Sequence, residues 1–208
     1  MTRTIAIAAA VALAALLGAV AWITLRADPN DKFAECRSGQ VAGGGADIGG
    51  PFTLVSETGE TVTENEVIDR PALIYFGYTF CPDVCPLDVA RNAQAVDILE
   101  ERGHMVKPVF ISIDPERDTP QAVADFTENM HPRMLGLTGS PDQVRAASQA
   151  YRTFYQAQDH DEDDEFYLVD HSTMTYLTLP EAGFVGFFRR DTPPEEMADR
   201  VQCFVEAR

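Results

Sequence analysis

The sequence predicts an α/β fold: a mixed β-sheet flanked by helices, entered through an N-terminal β-hairpin and preceded by a single N-terminal transmembrane helix. Three observations predict it. Ala72-Leu73-Ile74-Tyr75-Phe76 and the Val109-Phe110-Ile111 centre of residues 107–113 are unbroken apolar runs, the pattern of strands covered on both faces. Thr119-Pro120, Ser140-Pro141 and Thr192-Pro193 are helix-opening pairs that follow those strands. Thr4 to Leu25 carries no charge.

The elements follow in chain order. Thr4–Leu25 is 22 residues long. At 1.5 Å rise it spans about 33 Å, enough for a bilayer core. A cleaved signal peptide is the rival, since Ala19-Val20-Ala21 has the small-x-small form of a cleavage site. The run continues past that site through Trp22, Ile23 and Leu25 and exceeds the usual signal core, so a retained anchor over residues 1–26 is expected. The short flank before it favours an N-terminus left in the cytoplasm and is too short for a mitochondrial transit peptide. A bacterial inner membrane, with the domain in the periplasm, fits best. Residues 27–51 form a linker with Gly43-Gly44-Gly45 and Gly49-Gly50-Pro51. Residues 52–208 form the domain.

Within it, Phe52–Val55 and Thr61–Thr63 flank a turn at Glu57-Thr58-Gly59-Glu60 and read as a hairpin. After Cys85, Val89, Ala93, Val96 and Leu99 recur at helical spacing. Helices are expected from Thr119-Pro120 to about Met130 and from Ser140-Pro141 to about Tyr155. Strands are expected over Glu165–Val169, Thr175–Leu179 and Phe184–Phe188, with a last helix from Thr192-Pro193 past Cys203. Buried strands with helical crossovers, closed by an antiparallel hairpin and a helix, are the thioredoxin arrangement.

Sixteen basic against 33 acidic residues give a net charge of −17. Such a surface repels nucleic acid and excludes it as a partner. The acidic run from His160 to Glu165 reads as a solvated loop, with docking of a basic partner as the second reading. Four cysteines, Cys36, Cys81, Cys85 and Cys203, allow three pairings that spacing cannot separate.

The sharpest local signal is Cys81-Pro82-Asp83-Val84-Cys85-Pro86, which follows a buried strand and opens a helix. Pro86 at the first helical position would make Cys85 the N-cap. Both sulfurs then sit near the positive end of the helix dipole, which favours thiolate. An inert disulfide would close a very small loop and add little stability, so the placement speaks for chemistry.

Tyr75-Phe76-Gly77-Tyr78-Thr79-Phe80-Cys81-Pro82-Asp83-Val84-Cys85-Pro86 resembles the signature of the Sco/SenC family. Asp114-Pro115-Glu116-Arg117-Asp118-Thr119 and Val169-Asp170-His171-Ser172 resemble that family's later motifs, in the same order. The resemblance covers roughly residues 50–205. It implies a thioredoxin fold and one copper per chain, Cu(I) or Cu(II), held by Cys81, Cys85 and His171. It also implies a role in assembling the copper A centre of cytochrome c oxidase, with a copper A-bearing subunit as acceptor and another carrier as donor. Two thiolates and an imidazole suit Cu(I), whereas Zn²⁺ usually takes a fourth ligand. Asp170 is a candidate for orienting the imidazole, and Asp114 for lining the site. The redox pair Cys81 and Cys85 leaves an alternative open: a thiol–disulfide oxidoreductase that reduces the oxidase cysteines before metallation. A redox or copper sensor is a third class. Cys36 and Cys203 lie outside these motifs and face an oxidising compartment, so a structural Cys36–Cys203 disulfide is expected.

Overall fold

The computed structural model describes residues 2–25, 31–37, 48–159, 161 and 166–208. The chain divides into two units, Met1–Glu35 and Cys36–Arg208. The glycines at 43–45 and the acidic run from 162 to 165 lie outside the described residues, as does His160.

The first unit contains α1, Thr2–Leu25, a helix of 24 residues. Its side chains are described at residues 5, 7, 10–20 and 22. Among the described residues, no helix is long and apolar enough to cross a membrane.

The second unit is built on a seven-stranded sheet in the order β2-β1-β5-β4-β3-β8-β9. Its strands are β1 (Thr53–Ser56), β2 (Thr61–Thr63), β3 (Ala72–Gly77), β4 (Lys107–Ser112), β5 (Leu135–Thr138), β8 (Thr175–Leu179) and β9 (Gly183–Phe188). The β3–β4 and β4–β5 pairs are parallel and the others antiparallel, so the sheet is mixed. Every residue of β3 is buried, as expected for a continuous apolar strand at the centre. Two short strands, β6 (Tyr155–Ala157) and β7 (Val169–His171), pair separately and antiparallel.

The helices start where the sequence marks them, with two shifts. In α4, Pro120–Met130, the Thr119 hydroxyl accepts from the Ala122 N–H, with Pro120 at the first position. In α5, Pro141–Ala150, Ser140 and Gln143 form a reciprocal capping box. The last helix, α6, spans Pro194–Glu206, one residue later than the Thr192-Pro193 reading. Pro193 is its extended N-cap and Pro194 takes the first position, where no N–H is needed. A single turn, α2, covers Glu64–Val67.

The expected α5 runs too far in the sequence reading. It stops at Ala150, Tyr151 caps it, and Arg152 takes a left-handed φ of 50°. Tyr155 then enters β6 rather than the helix. The strand expected at 165–169 sits later, at Val169–His171. β5, absent from the sequence reading, fills the gap between β1 and β4. Its Gly136 is required by packing: a Cβ there would stand 2.3 Å from Val123 Cγ1 of α4.

Cys36 and Cys203 form a disulfide, with Cα atoms 5.6 Å apart. It ties the start of the second unit to α6 across a sequence separation of 167.

Candidate metal centre

The candidate centre forms at the carboxyl end of β3, where ligand sites of open α/β sheets gather. Strand β3 ends at Gly77. A Cβ at Gly77 would meet Tyr75 Cε1 at 2.9 Å, Phe110 Cε2 at 3.0 Å and Cys85 Sγ at 3.1 Å. Glycine therefore leaves the space that the Cys85 sulfur occupies. The loop after it is pinned by Asp118, which accepts from the Thr79 N–H at 3.0 Å and from the hydroxyls of Thr79 and Ser112. Burial raises the Asp118 carboxyl above the usual carboxylate range, against the pull of those donors.

Helix α3, Val84–Glu101, begins with Asp83 as N-cap. Pro86 is thus at the third helical position rather than the first. The first four N–H groups of a helix have no partner within it, so proline costs nothing there either. One of those free donors, the Cys85 N–H, points at Cys81 Sγ, 3.2 Å away. The Cys81 sulfur thus takes the role of a capping acceptor at the start of α3.

Both cysteines are free thiols and are buried, at 7% and 0% exposure. Their environments differ. Cys81 is driven well below the usual thiol range by hydrogen bonds from the Cys85 side chain and from the N–H groups of Cys85 and Asp83, with the nearby His171 ring adding to the effect. Its bond to Cys81 and its own burial push the Cys85 thiol upward. The two environments thus push the pair apart, Cys81 toward the thiolate and Cys85 toward the thiol. Tyr78 is raised to about 12 by burial, with the two sulfurs nearby adding to the effect.

His171 closes β7. Its partner across the ladder is Tyr155, and the Ser172 N–H bonds the Phe154 carbonyl at 2.9 Å, which fixes the strand end. The imidazole Nδ1 lies 2.9 Å from the Ser172 carbonyl. A carbonyl only accepts, so in the neutral ring Nδ1 carries the hydrogen and Nε2 presents its lone pair. Nε2 lies 3.3 Å from Cys85 Sγ. The rings of Tyr75 and Tyr78 meet the imidazole edge-on, with centroids 6.2 and 5.9 Å away.

The two sulfurs and one ring nitrogen all lie within 4.8 Å of one another. Three atoms so spaced enclose a point no more than about 2.8 Å from each, close to a metal–sulfur bond of about 2.3 Å. The donors are soft, which fits a monovalent copper ion with low coordination.

The two carboxylates expected beside the ligands each bond other side chains. Asp170 is exposed, because neighbours on a strand face opposite ways, and it accepts from Gln158 Nε2 at 3.0 Å. The Ser172 carbonyl takes the orienting place assigned to it. Asp114 is buried, and its carboxylate accepts from the Tyr167 hydroxyl at 2.7 Å and from Arg117 Nε at 2.6 Å. Sequence reasoning missed Asp118, Tyr78, Tyr167 and the Ser172 carbonyl. Asp118 and Tyr78 lie inside the quoted motifs, but nothing in their spacing tells which partner each meets.

The family model described as SCO1/SenC matches residues 40–206. The chain belongs to the SCO1/SenC family. Protein SenC of Rhodobacter capsulatus is 52% identical over 206 residues, covering 99% of this chain and 92% of that protein. The crystal structure of Arabidopsis thaliana ScoI with copper bound is 40% identical, has a TM-score of 0.71, and covers 76% of this chain and 99% of its own. Yeast Sco1 with copper bound is 33% identical with a TM-score of 0.74, covering 78% of this chain and 90% of its own. The thioredoxin-like mixed sheet of the SCO1/SenC proteins is the fold of this chain.

Proposed function

We propose that this SCO1/SenC protein is a copper-binding assembly factor that delivers one copper per chain to the copper A site of a membrane cytochrome c oxidase. Cys81, Cys85 and His171 are its ligands. The observation that carries this is the convergence of two buried sulfurs and an imidazole Nε2 within 4.8 Å, with the ring held by the Ser172 carbonyl. The copper-bound ScoI and Sco1 structures support the metal. Three ligands leave a coordination position open, so an incoming thiolate can bind before the ion leaves. The donor is an upstream copper carrier and the acceptor an oxidase subunit bearing a reduced dithiol.

The chain is read as a single-pass protein of a bacterial inner membrane, its N-terminus cytoplasmic and its domain in the periplasm. Residues 1–26 are the anchor, 27–51 the linker and 52–208 the copper-binding domain. Support for the anchor is the sequence alone: the uncharged run Thr4–Leu25 would span about 33 Å as a helix at 1.5 Å per residue. Support for the compartment is the Cys36–Cys203 disulfide, a bond of oxidising surroundings.

The unequal thiols favour one second reading, reduction of the acceptor's disulfide by Cys81. Anaerobic incubation of the copper-loaded protein with a soluble copper A domain separates the two. Copper moving to a reduced acceptor, with Cys81 and Cys85 still thiols afterwards, is the expected result. Copper failing to move, while the metal-free reduced protein turns an oxidised acceptor into a dithiol and its own pair into a disulfide, would replace this reading by the second.

A further inference from the structure

The histidine and the cysteines of the centre come from parts of the chain 86 residues apart. Something must hold the short β6–β7 ladder, which lies outside the main sheet, against the cysteine loop. The β4–α4 loop, residues 113–119, reaches both sides. Toward the cysteine loop, Asp118 holds Thr79, as described above. On the same side the Arg117 guanidinium lies over the Phe80 ring at 4.8 Å and the Tyr78 ring at 5.8 Å. Toward the histidine segment, its Cζ lies over the Tyr167 ring, 3.5 Å from the centroid. Asp114 fixes the stack from below, taking Arg117 Nε at 2.6 Å and the Tyr167 hydroxyl at 2.7 Å. A direct tie runs from the Val169 N–H to the Tyr78 hydroxyl, at 3.3 Å.

We infer that Arg117 is a positioning residue for copper: it clamps the segment bearing His171 onto the loop bearing Cys81. The inference rests on the ligand assignment above. A planar guanidinium can stack on Tyr167 and Phe80 while its edge bonds a carboxylate, which an ammonium cannot do. The stack is almost out of solvent, the Arg117 and Asp114 side chains being 11% and 3% exposed. Cation–π contacts strengthen as they are desolvated. Tyr167 is four residues before His171, and Phe80 is next to Cys81. Loosening Arg117 therefore frees the imidazole relative to the sulfurs without touching a ligand. The cysteines keep their own geometry, because Cys85 lies in α3 against Gly77, its N–H holds Cys81 Sγ, and Asp118 still pins Thr79 of the Cys81 loop.

The test is a double-mutant cycle on the reduced full chain, reading Cu(I) affinity by competition with a chromogenic chelator. The proteins are wild type, Arg117→Met, His171→Ala and the double variant, with Arg117→Lys as a milder change that keeps the charge beside Asp114. Arg117→Met is expected to weaken copper about tenfold, a loss of about 1.4 kcal/mol, and Arg117→Lys by less. In the His171→Ala background the same substitution should change affinity less than about twofold, because no imidazole remains to position. The Cu(II) form of Arg117→Met should also show weakened nitrogen coupling in its electron paramagnetic resonance spectrum. Equal losses in both backgrounds, or wild-type affinity in Arg117→Met, would overturn the clamp while leaving the ligands in place. Wild-type affinity in His171→Ala would instead overturn the ligand assignment, and the clamp with it.

Discussion

Replacing Gly77 by alanine probes how tightly the centre is cradled. The added methyl would stand 2.9 Å from Tyr75 Cε1, 3.0 Å from Phe110 Cε2 and 3.1 Å from Cys85 Sγ. Carbon atoms pack at about 3.5–4.0 Å, so all three neighbours must retreat. Tyr75 and Phe110 are fully buried, and the Tyr75 hydroxyl is tied to Asp88 at 3.0 Å. The rings have nowhere to go, and part of the displacement falls on Cys85. Overpacking of a well-filled core costs about 1–3 kcal/mol. For a domain of this size a loss of 2 kcal/mol lowers the melting midpoint by about 4–8 °C. The assay is thermal unfolding of the reduced protein with and without copper, followed by circular dichroism. The metal-free midpoint should fall by that amount. The rise on adding copper should also shrink, because a ligand stabilises only in proportion to its affinity for the native site. A metal-free midpoint within about 1 °C of wild type would refute the tight cradle.

Two further predictions concern the cysteines. Cys36→Ser with Cys203→Ser should lower stability by about 2–5 kcal/mol, the chain-entropy ceiling for so long a loop being about 5 kcal/mol, with no change in copper stoichiometry; chemical denaturation checks the first part and metal analysis the second. Because hydrogen bonds hold Cys81 below the usual thiol range, it is already a thiolate at neutral pH. Its alkylation rate in the reduced, metal-free protein should be nearly flat from pH 5.5 to 7.5, whereas an ordinary thiol speeds up about tenfold per pH unit. Peptide mapping after timed iodoacetamide pulses measures this, and a tenfold slope at Cys81 would count against an activated pair.

The sheet core and the helix starts were legible because each rests on local chemistry. Ala72–Phe76 has no polar residue to place on a solvent face, and Thr119 and Ser140 cap helices through bonds to residues three positions on. β5 was not legible. It is four residues long, and its Gly136 reads as a strand breaker until Val123 is seen against it. The end of α5 was missed because Gln149-Ala150-Tyr151-Arg152 continues a helical pattern, and only the left-handed Arg152 breaks it. At the candidate centre the three residues that converge were readable from the motifs. The roles of their neighbours were not. Asp170 sits beside His171 in sequence but across the strand from it, and the orienting group is a backbone carbonyl that no composition can reveal. Arg117 lies 36 residues from Cys81 and 50 from Tyr167, and the fold alone joins them.

Anaerobic titration of Cu(I) into the reduced full chain, wild type beside Cys81→Ala, Cys85→Ala and His171→Ala, tests the central claim most directly. Saturation at one copper per wild-type chain is expected, with tight binding abolished by either cysteine change. Loss of the imidazole should weaken it strongly, since two sulfurs alone then hold the ion. Tight wild-type-like binding in any of the three variants would contradict a centre made of Cys81, Cys85 and His171.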